Sequence, residues 1–105
     1  MILTNHLKIN HMEKKQAYID KFNAQIRELQ TDLDKLDAKA RQSEADLKIK
    51  YQKEIEELEQ KKATLQERLD KIKNSSGDAW DEFKDGAEKA FEDLRISWKN
   101  AMDKF

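Results

Sequence analysis

The chain has 105 residues, 41% of them charged, with a formal net charge of −1, and its mean hydropathy is −1.06. That size and balance allow one structural unit, exclude an all-round apolar core and, with 21 bases interleaved among 22 acids, offer no basic face to nucleic acid. Cysteine is absent, so disulfides and thiolate sites are excluded, and no apolar run reaches the ~18 residues of a bilayer span.

Residues 1–11 contain both histidines and no acid, and carry Ile2, Leu3, Leu7 and Ile9 without a sustained pattern. They read as a loosely ordered N-terminal extension, or as a first helical turn if Thr4 caps it. No basic stretch leads into a long apolar one, so no secretion signal is read and a cytoplasmic protein is expected. His6 and His11 would stand about 140° apart on a helix, so they cannot share a metal ion as an i,i+4 pair does.

Residues 12–73 have no Gly and no Pro, and an apolar residue returns every three or four positions. Phe22, Ile26, Leu29, Leu33 and Leu36 open the series; Leu47, Tyr51, Ile55, Leu58, Leu65, Leu69 and Ile72 close it. This rhythm without breakers predicts one long coiled-coil helix, roughly 93 Å at ~1.5 Å per residue. Acid-before-base pairs at i,i+4 (Asp37/Arg41, Glu44/Lys48, Asp46/Lys50, Glu57/Lys61, Glu67/Lys71) support it weakly. The seam thins between Leu36 and Leu47, where Ala40 and Ser43 occupy it, and the spacing then slips in phase. Either small residues let backbones approach there, or the helix breaks, with Ser43 and Asp46 as a capping box. No Gly, Pro or Asn marks 37–46, which favours the unbroken helix.

The turn is placed at 74–78. Lys71 and Lys73 suit a helix C-terminus, Asn74 or Gly77 can adopt a left-handed conformation, and Ser75, Ser76 or Asp78 can cap a new helix. Residues 79–105 read as an amphipathic helix with an 11-residue repeat: Ala79, Ala90 and Ala101 coincide, as do Trp80, Phe91 and Met102, and Phe83, Leu94 and Phe105. Ala87 and Trp98 join the same bulky stripe. Folded back, it matches residues 46–73 in length and weakly in charge. Residues 78–105 carry eight acids and five bases; residues 46–73 carry seven acids and eight bases.

The expected fold is therefore all-α: a long helix, a turn and a shorter antiparallel helix. The alternative is a three-helix bundle broken near Ser43. In the hairpin the seam from Phe22 to Leu36 has no intrachain partner, so self-association follows, most simply as a dimer. Ile49 and Ile96 fall off the seam and are either a second contact surface or isolated exposed residues.

No Ser/His/Asp constellation or Gly-rich phosphate loop occurs, and the acid clusters around Asp32–Asp37 and Glu54–Glu59 lack the histidines of helical metal sites. No enzyme, metal or cofactor is expected. The alternative to an interaction protein is a lipid-surface helix over 79–105, which the excess of acids there disfavours.

The stretch Ser75-Ser76-Gly77-Asp78-Ala79-Trp80, the Ala/Trp/Phe repeat behind it and the Lys/Gln/Glu-rich helix before it resemble a family of small bacterial coiled-coil proteins labelled stress-response proteins. The resemblance covers about residues 12–105. It implies a cytoplasmic helical protein linked to stress, with no established molecular activity and no catalytic residues; apart from the resemblance, the expected partners are a second copy and an unidentified protein.

Overall fold

From His11 onward nearly every residue tolerates a helix and the apolar spacing favours one. The computed structural model, which describes residues 11–105, is accordingly helical almost throughout. Helix α1 spans His11–Arg41, α2 spans Ala45–Asn74, and α3 spans Trp80–Lys104 after a single 3-10 turn at Gly77–Ala79. Among the described residues there is no strand. The extension expected over residues 1–11, with His6, lies outside the described residues except that His11 opens α1.

The long helix expected over 12–73 is two helices, and the three-helix arrangement is the one adopted. Two overlapping carbonyls end α1: the N–H of Gln42 donates to Lys39 O and that of Ser43 to Ala40 O, both at 3.2 Å. The Ser43 hydroxyl donates back to Lys39 O at 2.7 Å, a local bond that competes with the helix ladder. The proposed capping box does not form. Glu44 is the N-cap of α2, extended at φ −66° and ψ 162°, and makes no side-chain cap bond. No glycine, proline or left-handed residue is needed for the bend, so the thinned, phase-slipped seam after Leu36 is its one mark in the sequence.

The reversal after α2 is where it was expected. Ser75 closes α2, its N–H and its hydroxyl both donating to Ile72 O at 3.2 and 2.6 Å. Gly77 takes the left-handed conformation at φ +59°, and since a Cβ there would meet nothing within 4 Å, the demand for glycine is one of backbone conformation alone. Asn74 stays helical, and Ser76 makes no side-chain cap bond to the 3-10 turn. Instead α1 reaches across: Lys15 Nζ donates to Lys73 O at 3.3 Å and Ser75 O at 2.9 Å, a cation on carbonyls at a helix C-terminus.

α1 and α2 run antiparallel, with Gln30 opposite Lys62. α3 returns antiparallel to α2 and so parallel to α1. The α1–α3 offset is constant: Tyr18 reaches Lys84, Asp32 reaches Trp98 and Lys39 reaches Phe105, each 66 residues apart. The core follows sevens. Along α1 it is Ile19, Phe22, Ile26, Leu29, Leu33, Leu36 and Ala40; along α2, Tyr51, Ile55, Leu58, Leu65, Leu69 and Ile72, with the half-buried Lys62 between Leu58 and Leu65. Along α3, Trp80, Ala87, Leu94 and Ala101 are buried at intervals of seven, flanked by Phe91, Trp98 and Phe105. This replaces the 11-residue repeat read from the sequence. The two patterns share Trp80, Phe91, Leu94, Ala101 and Phe105, Ala90 and Met102 also pack against the core, and α3 takes the heptad phase because both helices it lies against do so.

Two residues assigned to the core are not in it. Leu47 is 42% exposed, because the register set by Tyr51 against Phe105 leaves it a turn beyond the end of α3. Phe83 is 37% exposed, opposite the last turn of α2. The seam from Phe22 to Leu36, expected to lack an intrachain partner, is covered by α2 and α3.

Leu29→Ala and Leu65→Ala, each removing a side chain with no exposed surface, should cost about 2–5 kcal/mol in urea unfolding. Leu47→Ala at low protein concentration should stay within about 0.5 kcal/mol. Equal losses at all three positions would contradict this packing.

Candidate interaction surface

Each helix carries one apolar stripe and charged residues elsewhere, so any function resides in what the stripes leave uncovered or in the polar groups set among them. The α1–α3 seam holds the polar groups. Tyr18, Phe22, Trp80 and Phe91 form an aromatic ladder, with ring centroids 5.0 Å (Tyr18–Phe22), 5.7 Å (Tyr18–Trp80) and 5.1 Å (Phe22–Phe91) apart. Lys84 stands where the seven-residue pattern calls for an apolar residue. Its ammonium lies 5.0 Å from the Trp80 ring centroid and 5.6 Å from that of Tyr18, so its stem covers the seam while its charge rests on π-faces. The Tyr18 hydroxyl is within hydrogen-bond reach of Lys84 O (3.2 Å) and Glu88 Oε1 (3.1 Å). Burial foremost, then the hydrogen bond and charge of Glu88 and the charge of Asp85, push its phenol well above the ordinary tyrosine range.

Lower on the same seam Trp98 Nε1 donates to Asp32 Oδ2 at 2.8 Å, which gives Asp32 a structural partner. The Trp80 Nε1 is buried without a hydrogen-bond partner. On the α2–α3 edge Lys61 lies 3.2 Å from Asp93 and 3.3 Å from Glu57. Burial acts to lower its pKa, but the two carboxylates outweigh this and hold it above the usual lysine value. These groups lock the register of the helices. None lies in a cleft where a substrate could reach it, and among the described residues no group of three His, Cys, Asp or Glu is placed to hold a metal ion.

Two open grooves stand out among the described residues. One, about 390 Å³, runs between α1 and α2 and is lined mainly by polar side chains, Gln16, Asn23, Gln66, Asp70 and Lys73, over a floor of Ile19 and Leu69. The other, about 630 Å³, lies where α2 begins and α3 ends. Its floor is Leu47, Tyr51 and Phe105, with Tyr51 and Phe105 stacked at 4.0 Å. Lys50, Lys53 and Lys104 rim it, and Lys104 is paired to Glu54 at 2.7 Å. Beside it Ile49 is 64% exposed. This end of the bundle is the only place among the described residues where two large exposed hydrophobics lie within three residues of one another; Phe83 and Ile96 stand apart.

Of the residues expected at the core or interface, Phe22, Ile26, Leu29, Leu33, Leu36, Tyr51, Leu58, Leu65, Leu69, Ile72, Trp80, Ala87 and Leu94 are buried. Ile55, Phe91, Trp98 and Phe105 are partly so. The bulky stripe of α3 faces α1 and α2 within the bundle. Sequence reasoning missed Tyr18, Ile19, Lys62 and Lys84. Counting back by threes and fours from Phe22 finds Ile19, but nothing in composition marks a lysine as part of a seam. Comparison with protein-family models, with curated proteins and with solved structures finds no match.

A phenol whose pKa is raised by folding stabilises the fold fully below its unfolded value of about 10 and loses that contribution as pH rises beyond it. Lys61, also raised, acts in the same sense. Urea unfolding from pH 7 upward should therefore show stability falling above about pH 10, and less steeply in Tyr18→Phe than in the natural chain. Identical alkaline profiles for the two proteins would contradict the burial of that hydroxyl beside Glu88.

Proposed function

We propose that this is a non-enzymatic helical protein that acts through helix–helix contact, beginning with its own self-association. The observation that carries the reading is the bundle end at Leu47 and Ile49, 42% and 64% exposed, beside the Tyr51–Phe105 stack. Elsewhere, apart from the isolated Phe83 and Ile96, the stripes are covered and the surface is mainly polar, as a protein that stays unassociated along its sides requires. The seam from Phe22 to Leu36 no longer argues for a dimer, since α2 and α3 cover it; the argument rests on the bundle end. The resemblance of residues 12–105 to bacterial stress-response coiled-coil proteins supplies the setting we propose, a cytoplasmic protein made under stress. That no helix among the described residues is long and apolar enough to cross a membrane is compatible with it. A lipid-surface role for α3 would require Trp80, Leu94 and their neighbours to leave the core.

Sedimentation and light scattering from about 10 μM to 1 mM, a range suited to a small interface, test the proposal. The natural chain should pass from monomer to dimer, and Leu47→Glu should shift that transition at least about tenfold higher in concentration. A natural chain that is monomeric throughout would overturn the reading.

A further inference from the structure

The bend between α1 and α2 is made of residues that have no objection to being helical. Gln42, Ser43, Glu44 and Ala45 include no glycine and no proline, and among the described residues only Gly77 has a positive φ. What holds the bend is slight: two tightened backbone bonds of 3.2 Å and the Ser43 hydroxyl on Lys39 O. No side chain caps the first turn of α2, whose N–H groups would find i−4 carbonyls if the helix ran straight through.

The column of α1 also continues past the bend. Ile19, Ile26, Leu33 and Ala40 are buried seven residues apart, and the next member is Leu47, which is 42% exposed. From Ala40 to Tyr51 is eleven residues, close to three full turns, so a straight helix carries the stripe of α1 into that of α2 with little rotation.

We propose, building on the self-association argued above, that two copies pair by straightening at Gln42–Glu44. Each α1 then leaves its own α2–α3 hairpin and docks on that of the other copy. Every core contact of the closed bundle is remade between chains, so the exchange costs no packing. It adds helical hydrogen bonds at the former bend and brings the two Leu47 side chains toward the twofold axis. The register that sets Gln30 opposite Lys62 would set Glu44 of one copy opposite Lys48 of the other, twice, pairing opposite charges at the new contact.

Ala45→Pro separates the two forms. Position 45 is the first residue of α2, where proline is favoured, and Glu44 before it already has the extended conformation that a following proline imposes. In a straight helix the same proline would lie in mid-helix. In a Gln30→Cys, Lys62→Cys background, a short bis-maleimide should join cysteines of different chains, giving dimer bands on denaturing gels in step with the dimer fraction from sedimentation. Adding Ala45→Pro should reduce both at least about tenfold at unchanged helical circular dichroism, and Gln42→Ala with Ser43→Ala should raise both. Should Ala45→Pro misfold, the alanine pair decides. A dimer whose cross-links all stay within one chain would overturn the exchange and leave the functional reading intact. A protein that is monomeric throughout would overturn both.

Discussion

Three apolar stripes, each repeating every seven residues on a helix that is otherwise charged, can be covered only by one another, and this one requirement organises the molecule. A single stripe on a 30-residue helix is too narrow for an isolated helix to survive in water, and two stripes facing each other leave a flank of each wet. The third closes the triangle. Where a stripe outruns its neighbours, as at Leu47 past the end of α3, the side chain is left facing solvent. Burial here is decided by position along the rod as much as by residue type.

The stripes alone do not choose a register, since sliding two leucine seams by one heptad changes little. The polar groups set into them do. Lys15 closes the C-terminus of α2, Lys62 donates to Gln30 at 2.7 Å, and Trp98 donates to Asp32. Slipping any pair of helices would break these part-buried bonds, each worth about 0.5–1.5 kcal/mol. Lys84, over the rings of Tyr18 and Trp80, does the same for the top of α3. Trp80, whose Nε1 has no acceptor, contributes size rather than specificity.

What was legible in the sequence follows from the same physics. Helicity, the reversal at Ser75–Gly77 and the buried residues from Phe22 to Leu36 and from Tyr51 to Ile72 each had a local signal, a period or a left-handed glycine. The break at Ser43 had only a weak one, the thinned and phase-slipped seam after Leu36, because α1 gains by folding back onto a seam far away in sequence, and that gain is tertiary. In α3 the 11-residue stripe and the heptad core differ chiefly at Phe83, which is exposed: over 25 residues a period of eleven and one of seven share most of their members, and only the partners decide. The candidate interaction end was half visible. Ile49 stands off the seam in the sequence, but Leu47 fits it, and only the length of α3 leaves Leu47 exposed.

The constant spacing of 66 residues between partners on α1 and α3 bears on how the chain reaches its final state. α2 and α3 are joined by a tight turn and can zip together early, whereas contacts such as Asp32–Trp98 close a long loop and bear the larger entropic penalty. α1 can zip onto α2 just as early through the short bend at residues 42–44, so the parallel α1–α3 contacts are the ones that no short loop closes.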